Sequence, residues 1–224
     1  MITCIVPVYN NESTLAHVLH TLLSCKGIDE IIAVDDCSQD DSAQIIKSFI
    51  PAIKAVYNEC NIGKGGGVVN GIRLSHADTI LLCDADLATV HSRHIECLIH
   101  EYKSGNFDMV IGGRETNFGW GHLMSLVSGE RIFLRRTVEP YLDIIAMHGN
   151  GIEQIINFAH KGKKVKLVIN HGVGHVLKYK KKGVHAWVPA YTQEARQLLG
   201  TQLYLMMLTV SKRYRFRFDK LFII

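Results

Sequence analysis

Two rhythms of apolar and polar residues run through this chain. Ile2-Thr-Cys-Ile-Val-Pro7-Val8-Tyr9, Ile28 to Val34 and Thr79 to Leu82 are short, nearly unbroken apolar runs, each followed by polar residues. Runs of this length predict strands buried on both faces. Ala52 to Tyr57 and Asp108 to Gly112 predict two more strands. Between them the period changes. Leu15, Val18, Leu19, Leu22 and Leu23 recur at helical spacing after the capping-type residues Asn10-Asn11-Glu12-Ser13. Further helices are predicted from the Gln39–Ser42 turn to about Phe49, from the glycine stretch at Gly63 to about Ser75, and over Glu96 to Tyr102. Strands alternating with helices imply an α/β fold, a mostly parallel sheet with helices on both faces. Ligands of such sheets bind outside the carboxyl ends of the strands. Tyr9-Asn10, Asp35-Asp36 and Asp84/Asp86 all fall at that edge.

The Asp84-Ala85-Asp86 step gives the edge a chemistry. Side chains at i and i+2 of an extended chain face the same way, roughly 6–7 Å apart. Paired carboxylates at the mouth of a buried sheet suit a hard divalent cation, Mg²⁺ or Mn²⁺, which shares oxygen ligands with phosphates. A solvated turn is the plainer reading of the tripeptide alone; convergence with the other two strand ends favours the metal. The stretch Asn61-Ile-Gly63-Lys64-Gly65-Gly66-Gly67 is no P-loop, because Asn58 stands where glycine is required and Gly65 follows the lysine. It is no dinucleotide fingerprint either, because Val68 or Asn70 occupies the third glycine position. Its glycines could let backbone approach a ligand, with Lys64 as a point charge for phosphate, or simply form a turn before a helix.

The 224 residues suffice for one domain with an appendage. Six cysteines lie in the first hundred residues without a Cys-x-x-Cys pair, which suggests reduced thiols in a cytoplasmic protein. The first residues carry no secretory leader pattern, and no apolar stretch reaches the length of a membrane span. Charge is uneven. Residues 1–160 hold 11 Lys/Arg against 19 Asp/Glu, whereas residues 161–183 hold eight lysines and no acid. The C-terminal third therefore faces something anionic. Nucleic acid is disfavoured, since the basic segment lacks interleaved aromatics. A phosphorylated substrate or an anionic membrane surface fits.

Four motifs now stand in order: Pro-Val-Tyr-Asn-x-Glu at residues 7–12, Val-Asp-Asp-x-Ser at 34–38, Asn-x-Gly-Lys-Gly at 61–65 and Asp-Ala-Asp at 84–86. Together they resemble the GT-A glycosyltransferases of family 2. The resemblance covers about residues 1–115, then continues through Ser128-Gly-Glu-Arg131, Gly149-Asn-Gly-Ile-Glu153 and Gly172-Val-Gly-His175. This later set is most similar to the branch acting on polyprenyl-phosphate or phosphoglycerate-type acceptors. The resemblance implies a GT-A catalytic domain over residues 1–190, with a nucleotide-sugar-binding half (1–115) and an acceptor half (116–190), followed by a C-terminal helix and basic, aromatic tail (191–224). It also implies roles. Pro7, Val8, Tyr9 and Glu12 would line the base and ribose pocket. Asp35 or Asp36 would accept a hydrogen bond from the base. Lys64 would lie near the base or diphosphate. Asp84, with Ala85, would contact ribose or metal-bound water, and Asp86 would bind the metal, with His175 as third ligand. The metal would stabilise the departing nucleoside diphosphate.

The acceptor half offers Glu153 as general base or acceptor-orienting group; a first-turn glutamate favouring the helix dipole is the alternative. Glu130 is the other base candidate, and Arg131 could clamp a phosphate. Arg135 and Arg136 read as a solvated face. Trp120 would stack on a sugar or pin its loop. Leu198 to Val210 reads as a helix, and the Arg213-Tyr-Arg-Phe-Arg-Phe218 tail as a contact for an anionic bilayer, a homodimer or the core. The expected activity is metal-dependent transfer of a sugar from a nucleotide donor, uridine-linked by preference, with inversion favoured over retention. A non-catalytic nucleotide-sugar-binding module and a sugar nucleotidyltransferase are the alternatives. The expected location is cytoplasmic, at the inner face of the membrane if the tail binds lipid.

Overall fold

The structure is a computed structural model that describes residues 1–114, 128–170, 172, 196–206 and 209. Its elements run β1 (Ile2–Val8), α1 (Glu12–Ser24), β2 (Glu30–Asp35), α2 (Ser42–Ser48), β3 (Lys54–Tyr57), α3 (Gly63–Leu74), β4 (Thr79–Leu82), α4 (Ser92–Ser104), β5 (Met109–Arg114), β6 (Arg131–Leu134), α5 (Arg135–Val138), α6 (Leu142–Met147), α7 (Ile152–Ala159) and β7 (Val165–Asn170). A helix over residues 196–206, α8, follows.

The seven strands form one sheet in the order β3-β2-β1-β4-β6-β5-β7. Every strand is parallel to its neighbours except β6, which runs antiparallel to both β4 and β5. The chain leaves β1 toward β2 and returns to its other side as β4, so a crevice opens at the carboxyl ends of β1 and β4. Continuous apolar strands were expected to be covered twice, and they are. Cys4, Val6 and Val8 of β1 join a core with Leu15, Val18, Leu19, Ile95 and Leu98 of α1 and α4. Ile5 of the same strand joins a second core with Val68, Val69 and Ile72 of α3 and Ile152, Ile155 and Ile156 of α7. Each such side chain contributes about 1.5–3 kcal/mol by leaving water.

Three local differences have physical causes. The α4 helix starts at Ser92 rather than near Glu96. Its first turn is held by histidines: His91 stands at the N-cap, and His94 Nδ1 accepts from the His91 backbone N–H at 3.1 Å, the part a glutamate or glutamine takes in a capping box. Strand β6 begins on a charged residue that is wholly buried, so apolar pattern could not announce it. Arg135, expected on a solvated face, is partly buried: its backbone N–H donates to Asp78 O at 2.8 Å, its Nη1 to Ser75 O at 2.5 Å and its Nε to Glu139 Oε1 at 3.0 Å. Arg136 is exposed, as expected.

The α3 glycines also act differently from expectation. A Cβ on Gly65 would fall inside 3.0 Å of the Ile145 carbonyl oxygen, a separation real Cβ atoms essentially never show. One on Gly66 would meet the Ile62 side chain at 2.7 Å, and one on Gly71 the Ile5 side chain at 2.6 Å. These glycines let α3 pack against α6 and β1. All six cysteines are free; Cys4, Cys25 and Cys83 are buried and Cys60 is exposed.

Candidate active site

The loops after β1 and β2 are sewn together by their own motif residues. Asn10 N donates to Ser38 Oγ at 3.0 Å, and Gln39 N donates back to Asn10 Oδ1 at 2.8 Å. Asn11 N donates to Ser42 Oγ at 2.8 Å, and Glu12 Oε2 accepts from Asp41 N at 3.1 Å. Asn10 and Cys37 take left-handed backbone, φ 52° and 63°, which turns both strand ends sharply; asparagine tolerates it better than most residues. Glu12 thus braces this seam. Pro7 is half-buried, Val8 buried and Tyr9 exposed at the mouth of β1.

Asp35 and Asp36 separate cleanly. Asp36 Oδ1 accepts from Asn58 Nδ2 and Ile62 N, both at 2.9 Å, and its Oδ2 from Gly63 N at 2.8 Å. Its carboxylate is spent collaring the start of α3. Asp35 receives Ser38 N on Oδ2 at 3.3 Å, while its Oδ1 is buried with no hydrogen-bond partner among the described residues. A buried carboxylate oxygen without a donor is expensive, so this atom calls for an incoming N–H or O–H.

Beyond β4 lies a chain of charges. Lys64 Nζ sits 2.8 Å from Asp84 Oδ1 and 2.7 Å from Glu153 Oε1. One ammonium therefore joins the glycine loop, the β4 edge and the first turn of α7. The two carboxylates push its pKa up, outweighing a burial that would lower it. Asp84 and Asp86 are both partly exposed, with the buried Ala85 between them accepting Thr14 Oγ1 on its carbonyl at 2.8 Å. A Cβ on Gly129 would collide with the Asp84 carboxylate, so only glycine leaves room for it there.

Arg131 lies beneath, with 0% exposure. Its Nε donates to Ser128 O at 3.1 Å, its Nη1 to Glu153 O at 3.1 Å and to Asn157 Oδ1 at 2.9 Å, and its Nη2 also to Ser128 O. This guanidinium braces α7 from within, where a phosphate clamp would need open donors. Burial lowers its pKa, opposed by Glu153, Asp84 and Glu130. Glu130 is buried too, and its Oε2 accepts from Ser128 Oγ at 2.6 Å. Ser128 and Gly129, present in the sequence only as part of the Ser128-Gly-Glu-Arg131 motif and given no role there, shape this site together with Asn157 and Thr14, which carried no signal in the sequence.

Asp84 and Asp86 suit a hard cation: two carboxylates, neither sealed off, at the sheet's carboxyl edge. They offer two carboxylates, and among the described residues no group of three His, Cys, Asp or Glu side chains is placed to hold a metal. His175 lies outside the described residues, as do His171, Trp120 and the tail from residue 211.

An α/β sheet with one reversed strand and an acidic, lysine-bridged crevice at its carboxyl edge defines a GT-A architecture. The sequence model for "Glycosyl transferase family 2" matches residues 3–175, and the chain belongs to that family. The chain is 30% identical over 151 residues to dolichyl-phosphate beta-glucosyltransferase of Dictyostelium discoideum, covering 60% of this chain and 44% of that protein. It is 33% identical over 95 residues to undecaprenyl-phosphate 4-deoxy-4-formamido-L-arabinose transferase of Pseudomonas savastanoi pv. phaseolicola, covering 38% and 28%. The chain thus spans less than half the length of these relatives. In fold it is similar to glucosyl-3-phosphoglycerate synthase of Mycobacterium tuberculosis, crystallised with Mn²⁺, UDP and glucosyl-3-phosphoglycerate, with a TM-score of 0.73, 17% identity and coverage of 92% of this chain and 79% of that one.

Proposed function

We propose that the chain transfers a sugar from a uridine diphosphate donor, with a divalent metal, to a phosphate group carried by a polyprenyl-type lipid. The observation that carries this reading is the crevice itself: the unpartnered Asp35 Oδ1 on one side and the Asp84/Asp86 carboxylates on the other. Asp35 Oδ1 accepts the imide N–H of uracil. Pro7, Val8 and Tyr9 floor the base and ribose. Asp84 and Asp86 hold Mg²⁺ or Mn²⁺, for which His175 is the further ligand; the metal, when bound, offsets the charge of the departing diphosphate. The relatives named for dolichyl and undecaprenyl phosphate, and the neighbour crystallised with UDP and Mn²⁺, support donor, metal and acceptor class.

Glu153 is committed to Lys64, so it orients the acceptor and does not act as a strong base. A phosphate acceptor fits that assignment, because it already carries its negative oxygen at neutral pH and needs no deprotonation. The oxygen displaces the diphosphate in one step, with inversion at the anomeric carbon. A lipid-linked acceptor places the protein at a bilayer surface. No helix among the described residues is long and apolar enough to cross one. Incubation with UDP-glucose, Mn²⁺ and a short-chain polyprenyl phosphate should release UDP and give a lipid-linked sugar, and Asp86→Ala should abolish both. Binding of the donor without release, over a panel of UDP-sugars, would make the chain a binding module instead.

A further inference from the structure

The Lys64 ammonium rests on a carboxylate that a divalent cation would use. Its Nζ lies 2.8 Å from Asp84 Oδ1 and 2.7 Å from Glu153 Oε1. The two ends of this bridge are fixed by their surroundings. Asp84 cannot retreat toward the start of β6, because its carboxylate already fills the space over Gly129. Glu153 hangs from the first turn of α7, and Arg131 Nη1 grips the Glu153 carbonyl there at 3.1 Å. The backbone of Lys64 is fixed too. Asp36 holds the N–H groups of Ile62 and Gly63 just before it, and Gly65 just after it packs on the Ile145 carbonyl. What is left to move is the lysine's flexible four-carbon stem.

We infer that Lys64 is an internal counter-ion that holds Asp84 in place of the divalent metal, and that it gives up Asp84, while keeping Glu153, when metal and a nucleoside diphosphate arrive together. The inference rests on the metal–diphosphate reading of the crevice proposed above. An ammonium and a divalent cation on one carboxylate repel each other, and in a mostly buried trio that repulsion is poorly screened. Metal alone must break a buried ion pair before it can use Asp84, so its affinity without nucleotide is low. A diphosphate changes the balance. It offers oxygens to the metal and negative charge to the released ammonium, which Glu153 keeps within reach. Metal and diphosphate then strengthen each other's binding by the same factor in either direction.

The test counts free Mn²⁺ by its electron paramagnetic resonance signal as the full chain is added. Without nucleotide, Lys64→Met should bind Mn²⁺ about tenfold more tightly than wild type. Lys64→Met with Glu153→Gln should do the same. That pair removes one positive and one negative charge and leaves no facing carboxylates, so its gain reports the freed Asp84 and not a change in net charge, and thermal unfolding checks its fold. UDP should raise the Mn²⁺ affinity of wild type about tenfold or more and that of the double variant by clearly less. Bare Mn²⁺ bound by the double variant no more tightly than by wild type would overturn the inference. So would an equal UDP effect in both, or a gain that survives Asp86→Ala in the same background. Should wild type bind Mn²⁺ with UDP while the variants gain nothing without it, the counter-ion fails and the metal–nucleotide reading stands. Should no form bind Mn²⁺ even with UDP, the metal reading fails and takes the counter-ion with it.

Discussion

Lys64→Met is the most informative single change. It removes the ammonium from between Asp84 and Glu153 while keeping a long side chain. Side-chain exposures of 24%, 18% and 7% put the trio mostly out of water. At an effective dielectric near 20, each contact has a gross attraction of about 4 kcal/mol, much of it offset by desolvation. Removing one partner of such a cluster costs about 3–5 kcal/mol, because two carboxylates are left facing each other. Urea unfolding should show that loss at neutral pH. The sign with pH follows. Two charged carboxylates left facing each other repel, and protonating either one removes that repulsion, so the variant's deficit should shrink in acid. Glu153→Gln in the same background should recover part of the loss, giving a coupling above about 1 kcal/mol in a double-mutant cycle. A Lys64→Met deficit below about 1 kcal/mol, independent of pH and additive with Glu153→Gln, would refute a shared buried cluster.

Other consequences are as definite. Gly65→Ala should destabilise by about 1–3 kcal/mol or more through collision with the Ile145 carbonyl, whereas Gly67→Ala, whose Cβ would meet only Val34 at an ordinary 3.7 Å, should be neutral or gain up to about 1 kcal/mol; thermal unfolding compares them. Asp35→Asn should weaken uridine diphosphate binding by about 1.5–3 kcal/mol in calorimetry with melting little changed, because its Oδ1 has no hydrogen-bond partner among the described residues. His160 is buried beside Phe133, with its pKa lowered below 6.5 chiefly by burial. Its neutral form is the one that fits, so its contribution is present above pH 6.5 and is lost as pH falls below it, at up to about 1.4 kcal/mol per pH unit. His160→Leu should flatten that slope in urea titrations at several pH values.

The sheet was legible because its strands are short, apolar and closed by polar residues: Ile2 to Val8, Glu30 to Asp35 and Thr79 to Leu82 sit close to where the pattern put them. The convergence of Asp35, Asp36, Asp84 and Asp86 followed from parallel topology. Division of labour within a motif did not. Adjacent aspartates look alike in sequence, yet Asp36 points at three donors and Asp35 keeps one buried oxygen without a donor among the described residues. Lys64 reaches 89 residues along the chain to Glu153, a partnership that local spacing does not encode. Arg131 is the clearest case. An arginine after Ser-Gly-Glu suggests a solvent-facing clamp, and only the fold reveals that Ser128 and α7 supply acceptors enough to bury it. The glycines of α3 left a ligand approach and a simple turn open for a similar reason: what excludes a Cβ at Gly65 is a carbonyl 80 residues away.

Calorimetric titration of UDP, with and without Mn²⁺, bears most directly on the crevice as a metal–nucleotide site. The account predicts binding that requires the metal, is lost in Asp86→Ala and is weakened in Asp35→Asn. Binding of equal strength without Mn²⁺ and in Asp86→Ala would contradict it.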